Sequence, residues 1–320
     1  MNKPRIFLGG HLFGYSLNEF ETHNLLSAAY LNGVLGVDTS GSYSSGISEK
    51  FIGEWAASQG VGSEIRVISK LEVDHIWSSK SIHNLNSQLE ASLIRLKCSS
   101  IDTVLLHHFV EDPKFLDSAL KFFEGATNKK LVKNWGICNI NSKQFSQVAK
   151  AMNSVGLKKV TLQNYCNWAK RKHNYWESFF KIANSQRIEL EALSYGVYGR
   201  GVLVSLDSEN NSQLNSGKSR STLNKKIRQE MENPLMHDII RVVDSFLPIS
   251  ENKLDRFALS FTFNQNSGAI VGIRSSDQLN RAISCYAKPY SQKIIVEGLG
   301  RVNLKLKNLD INLGDPGLGL

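Results

Sequence analysis

The feature that most constrains this chain is a regular alternation of short apolar runs with longer stretches of helical spacing. Strand-like runs are read at Arg5–Gly10, Leu35–Asp38, Ile65–Lys70, Thr103–His107, Val132–Cys138, Lys159–Tyr165, Ile188–Ser194 and Ala269–Ile273. Helices are read over Asn18–Asn32, from about Ser48, and over Ile82–Leu96, Lys114–Phe123, Ser142–Met152 and Asn174–Ala183. Further helices are read near Leu235–Phe246, Lys253–Asn264 and Asp277–Ala287. In the first helix Phe20, Leu25, Leu26 and Ala29 recur at helical spacing, while Glu19 and Glu21 suit the positive end of its dipole. Eight such βα units predict an α/β chain folded as a closed (β/α)8 TIM barrel, with its functional groups at the C-terminal ends of the strands. The rival, a doubly wound open sheet, normally carries a G-x-G-x-x-G loop after its first strand. Gly9-Gly10-His11-Leu12-Phe13-Gly14 lacks that spacing.

The expected organisation is a single barrel domain over residues 1–320, with the barrel at about 5–287 and a C-terminal extension over 288–320. Ser205–Ser221, rich in Ser and Asn, reads as a long loop after strand seven, with room for a lid or cofactor strap. In the extension, Lys293–Glu297 reads as strand-like.

The net charge of +9 is spread over scattered basic residues, with short clusters at Lys170–Lys172 and Lys225–Arg228. A nucleic-acid-binding chain would show a stripe or arm, so no nucleic-acid partner is expected. No apolar run approaches the roughly 18 residues that cross a bilayer, and no signal-peptide core precedes the first strand. No membrane partner is expected. The four cysteines, Cys98, Cys138, Cys166 and Cys285, form no C-x-x-C pair, which fits a reduced, cytoplasmic protein. No metal site is expected, and nothing in the sequence indicates an oligomeric state.

Three polar residues end successive strand-like runs: Asp38, Lys70 and His107. Tyr43 follows Asp38 by five residues. In a parallel barrel these groups gather at one mouth, and an acid, a cation and an imidazole around a tyrosine can protonate a carbonyl. A free phenol, with a pKa near 10, is a sluggish proton shuttle at neutral pH. A nearby ammonium stabilises the phenolate and lowers that value. The expected roles are therefore Tyr43 as general acid, Lys70 as the tuning cation, Asp38 as its holder, and His107 as the group that polarises and orients the carbonyl.

The motifs around these residues resemble those of the aldo-keto reductase superfamily, from about Leu8 to Ala287. Asp38-Thr39-Ser40-Gly41-Ser42-Tyr43 is similar to D-T-A-x-x-Y, and Gly46-Ile47-Ser48-Glu49 with Gly53 to G-x-S-E-x-x-x-G. Ser92–Leu96 followed by Ile101–His107 resembles S-L-x-R-L and I-D-x-x-x-x-H, which selects His107 over His108. Gly136–Asn139 corresponds to G-V-S-N, and Gln163–Asn167 to Q-x-x-Y-N with Cys166 in the tyrosine place. Gly272–Leu279 keeps the G-x-R-x-x-x-Q-L form of an adenosine-phosphate site.

The resemblance implies a nicotinamide cofactor. Asn139 and Gln163 would meet its carboxamide, and Ser194, Gly272, Arg274, Ser275 and Gln278 would complete the cofactor site. Arg274 and Arg281 favour a 2′-phosphate, hence NADP(H) over NAD(H). Three positions depart from the family pattern. Leu193 stands where an aromatic residue usually stacks on the nicotinamide, leaving Tyr195 or Tyr198 to supply a ring, and Arg281 and Ala282 replace the usual Glu and Asn.

The expected activity is reduction of an aldehyde, ketone or sugar-like carbonyl, or the reverse alcohol oxidation, on a small-molecule substrate. Two alternatives are a nicotinamide-binding regulatory or scaffold protein with weak turnover, and a barrel lyase or isomerase using Lys70 as a Schiff base. Trp77, Phe109, Trp168 and the C-terminal tail are expected to line the mouth, and Tyr165, Trp168 and Lys170–Lys172 would suit a phosphorylated or nucleotide-linked sugar.

Overall fold

Strand residues alternate in direction, so every second side chain points into a barrel. In the computed structural model eight parallel strands close in sequence order, the last pairing with the first. They are β1 (Ile6–Gly9), β2 (Gly36–Asp38), β3 (Arg66–Leu71), β4 (Ile101–Leu106), β5 (Val132–Cys138), β6 (Lys159–Tyr165), β7 (Glu189–Tyr195) and β8 (Ser267–Val271). The structure describes residues 6–73, 79–170, 174–204 and 233–307. The expected loop at 205–221, Trp77, Arg171, Lys172 and the tail from 308 onward lie outside them.

The chain divides into two compact units. The first holds Met1–Tyr165, Trp176–Tyr195 and Ser267–Ser276, and with them all eight strands. Its helices are α1 (Glu19–Leu31), α2 (Ile47–Gln59), α3 (Ser79–Arg95), α4 (Pro113–Asn128), α5 (Ser142–Ser154) and α6 (Glu177–Ser185). The starts of α1 and α5 are set by reciprocal capping boxes, Asn18 with Glu21 and Asn141 with Gln144.

The strand alternation stacks side chains in layers. Phe7, Ile68, Leu105, Cys138, Leu193 and Ile270 form the buried central layer. Two residues earlier on β3, Arg66 is bidentate to Glu191 of β7, at 2.6 and 2.5 Å, and also reaches Asp102 at 2.6 Å. Thr161 of β6 donates to Glu191 at 3.0 Å. Two residues later than the central layer come Lys70, His107 and Tyr195, towards the C-terminal ends of the strands. The barrel thus reads polar, apolar, polar along its interior. Gly136 lets β5 and β6 approach, since a Cβ there would stand 1.8 Å from the Thr161 carbonyl oxygen.

The second unit holds Cys166–Tyr175, Gly196–Asn266 and Asp277–Leu320. It contains α7 (Pro234–Phe246), α8 (Lys253–Asn264), all but the first residue of α9 (Ser276–Ala287), and α10 (Gln292–Lys307). The strand-like reading of Lys293–Glu297 is corrected: this segment lies inside α10. Its β-branched run favours a strand locally, but Ile295, Leu299, Val302 and Leu306 recur at helical spacing and bury one face. Gly298 allows close packing on α8, where a Cβ would meet the Phe257 ring at 2.8 Å. Trp168 is buried, edge-on to Phe257 at 5.7 Å.

The polar base layer yields a stability prediction. Glu191→Ala leaves the half-buried Arg66 guanidinium with one carboxylate partner fewer and should cost about 2 kcal/mol. Urea denaturation of the two proteins measures the loss.

Candidate active site

The site is built around a lysine that the barrel removes from water. Lys70 is 1% exposed. An ammonium has three donors, and all three are matched: Asp38 Oδ2 at 2.8 Å, the Thr39 carbonyl at 2.8 Å and the Tyr43 hydroxyl at 3.1 Å. Nζ also lies 4.7 Å from the centre of the Tyr43 ring. Burial alone would depress the Lys70 ammonium, but the charge of Asp38 beside it holds its pKa above the ordinary lysine value. Fully hydrogen-bonded and held charged, it is a poor Schiff-base amine.

Asp38 is held from its other side as well, by Gln163 Nε2 at 2.7 Å to Oδ1. The expected tuning of Tyr43 is outweighed. Burial pushes its phenol above the ordinary value, and Lys70 only partly pulls it back. Tyr43 therefore keeps its proton at neutral pH, and because Lys70 donates into the phenol oxygen, that proton is left for another acceptor.

His107 follows β4 by one residue and stands beside Tyr43, with ring centres 6.1 Å apart. Its Nδ1 lies 2.5 Å from Oε1 of Glu72, the residue after β3. The hydrogen bond to His107, helped by one from Ser42, pulls the Glu72 carboxyl down to about 2. An ionised Glu72 only accepts, so the His107 proton is inferred to sit on Nδ1. Nε2 then accepts when the ring is neutral and donates when the ring carries a second proton. His108 stacks on His107 at 5.0 Å, and His11 packs edge-on to Tyr43 at 5.1 Å.

The loop carrying Tyr43 is backbone-strained. Ser44 and Ser45 have φ of 50° and 56°, and Gly46 has φ of 89°. A left-handed serine costs roughly 1–2 kcal/mol, so the loop persists only because its surroundings hold it. Ser44 Oγ donates to the Phe13 carbonyl at 3.0 Å, and Ser48 Oγ to the Gly10 carbonyl at 2.9 Å. Buried Glu49 takes Ser69 Oγ at 2.5 Å and Arg95 Nε at 2.7 Å, tying α2 to β3 and to the end of α3. Gly46 and Gly53 clear space for the Arg95 side chain and carbonyl, at 2.7 and 2.3 Å from their would-be Cβ atoms.

The expected cofactor residues separate into two groups. Gln163 is committed to Asp38, and the Ser194 hydroxyl, fully buried, takes Trp176 Nε1 at 3.1 Å and pairs with Ser267 at 2.8 Å. Ser194 points out of the barrel because its neighbours Leu193 and Tyr195 point in. The second group is accessible. Asn139 (φ 58°) is exposed, gives Nδ2 to the His107 carbonyl at 3.3 Å and accepts Tyr195 OH at 2.7 Å. Gly272, Arg274 and Ser275, between β8 and α9, are exposed, and a Cβ on Gly272 would meet nothing within 4 Å. An open glycine, an arginine and a serine just before a helix N-terminus form a donor set that fits a phosphorylated cofactor. Gln278 lies on α9 and is half-buried.

Residues 5–297 match the family model described as the aldo/keto reductase family. The chain belongs to the aldo-keto reductase family. It is an NAD(P)H-dependent oxidoreductase acting on carbonyl compounds. Among solved structures it is similar to aldo-keto reductase AKR11C1 from Bacillus halodurans, in its holo form, with a TM-score of 0.69 and 18% identity over 93% of this chain and 91% of that one. No curated relative matches the chain significantly.

For this aldo-keto reductase, sequence reasoning missed Glu72 and His11. Glu72 carried a signal, an acidic residue two positions beyond the strand-end lysine. Its folded pKa of about 2 lies below the ordinary 4.5, so its contribution to stability is complete above 4.5 and is lost as pH falls towards about 2. The gap in urea midpoint between wild type and Glu72→Gln should therefore be open at neutral pH and close on acidification through that window.

Proposed function

We propose that this chain reduces an aldehyde, ketone or sugar-like carbonyl with NADPH, or runs the reverse oxidation, through Asp38, Tyr43, Lys70 and His107. The observation that carries this reading is the direction of one hydrogen bond. Lys70 Nζ donates to the Tyr43 oxygen at 3.1 Å, so the phenol proton is free for a substrate oxygen. A nicotinamide cofactor, when bound, supplies the hydride. Tyr43 then passes its proton to the developing alkoxide, and the adjacent ammonium stabilises the phenolate left behind. Asp38 keeps that ammonium paired throughout, and Gln163 keeps Asp38 in place.

His107 meets the substrate oxygen through Nε2, with Glu72 fixing its ring. It assists reduction as the protonated ring and oxidation as the neutral one. Asn139 would take the carboxamide. Tyr195, the next inward position above buried Leu193, would supply the ring. Arg274 and Ser275, just before α9, would take a phosphate, with Gly272 leaving room for close approach.

Two measurements test this. Tyr43→Phe should retain NADPH binding, followed by tryptophan fluorescence quenching, while turnover of a reducible carbonyl falls by about 10²–10⁴-fold. Unchanged turnover in that variant rejects Tyr43 as the acid, and a wild type that binds NADPH without turnover points to the regulatory alternative. Arg274→Ala should weaken NADPH binding by about tenfold and leave NADH nearly unaffected. Equal losses for the two nucleotides would reject the assigned 2′-phosphate contact.

A further inference from the structure

One constellation at the strand ends, which shares His107 and Glu72 with the proton-transfer machinery, has metal-ligating chemistry. Glu72 after β3 and the pair His107–His108 after β4 bring one carboxylate oxygen and two imidazole nitrogens within 4.8 Å of one another. The two imidazoles are stacked, 9° between planes and 5.0 Å between centres, so the exposed His108 ring turns out of the stack to aim a nitrogen at the same ion as His107. His108 is exposed and Glu72 and His107 are partly exposed, so an ion from solution reaches the group.

We propose that Glu72, His107 and His108 form a binding site for a divalent transition ion of the Zn²⁺, Ni²⁺ or Co²⁺ class, and that the loaded form is an inhibited one. Two imidazoles and one carboxylate are a donor set that borderline ions prefer over Mg²⁺ or Ca²⁺, and they leave a fourth position for water. Tetrahedral bonds of about 2.0–2.1 Å place two donors roughly 3.3 Å apart. His107 Nδ1 and Glu72 Oε1, now 2.5 Å apart, spread by less than an ångström to reach that spacing. The ion takes the place of the proton these two atoms share: in a neutral ring that proton moves to Nε2, and from a doubly protonated ring one proton leaves to solvent. No electron changes hands. The inhibition, unlike the binding, rests on the role given to His107 above: an ion on Nδ1 replaces the Glu72 hydrogen bond that fixes the ring for substrate.

The sequence conceals this site, because Glu72 lies 35 positions before His107 and only strand pairing between β3 and β4 brings the two together.

Co²⁺ titration of the whole protein, followed by its visible d–d absorption and by calorimetry, is the test. Wild type and Tyr43→Phe should bind one equivalent alike, with Zn²⁺ displacing Co²⁺. His108→Gln, a surface change outside the catalytic set, should weaken binding by about tenfold or more while circular dichroism and NADPH binding stay unchanged. Wild-type turnover should fall on adding Zn²⁺ and recover with chelator, and His108→Gln should resist. Absence of Co²⁺ binding up to about 1 mM, weaker than the micromolar range of a functional site, overturns the proposal. So does binding that is indifferent to His108→Gln. Because the spectroscopic arm needs no turnover, a protein that binds Co²⁺ but reduces no carbonyl would refute the catalytic reading alone.

Discussion

Everything at the C-terminal end of this barrel depends on a buried ammonium. Taking such a group out of water costs several kcal/mol, and the cost is offset only when each N–H finds a good acceptor. Lys70 finds three, and they fix three pieces of chain: the end of β2 through Asp38, the following residue through its carbonyl, and the loop beyond through Tyr43. The second Asp38 oxygen extends the constraint to β6 through Gln163. A shift of register in any of these strands leaves a charge unpaired in the barrel interior. The network that would perform the chemistry therefore also disfavours misaligned barrels.

The layers beneath it make that placement rigid. The apolar centre, with Phe7, Ile68 and Leu105, separates the Lys70 network from a second, half-buried charge cluster at the other end, Arg66 with Glu191 and Asp102. Each cluster pairs its own charges, and neither has to share a counter-ion across the apolar layer. Groups borne on strands in such a frame are held more accurately than groups on loops. Tyr43 is the one member of the proposed set that comes from a loop well beyond its strand. That loop is where the structure places its most elaborate support: Ser44, Ser48, Glu49 and Arg95 bracket a left-handed turn.

This explains why motif residues with no chemical task accompany those that have one. Glu49 is an acid near the site, yet both its oxygens are taken, by Ser69 and Arg95, so it braces the wall behind Lys70. Gly46 and Gly53 serve the same brace by omission, because a methyl group at either would collide with Arg95.

The sequence by itself determined the eight-fold alternation, the order of the strands and the positions of Asp38, Lys70 and His107 at strand ends. These are local signals: apolar period, turn residues and a polar residue closing a run. Several findings needed the tertiary structure. Gln163 turned towards Asp38 and Ser194 turned away from the barrel interior because facing direction depends on register, and one residue of shift exchanges the two faces. The phenol of Tyr43 rose rather than fell because burial, which no linear pattern encodes, outweighed the neighbouring charge. Residues 293–297 became helix because an apolar face with a long partner surface prevails over β-branched propensity. Glu72 met His107 only through the pairing of β3 with β4. Propensity and periodicity act over a few residues and are written in the chain. Desolvation, side-chain direction and the meeting of distant groups arise only when the barrel closes.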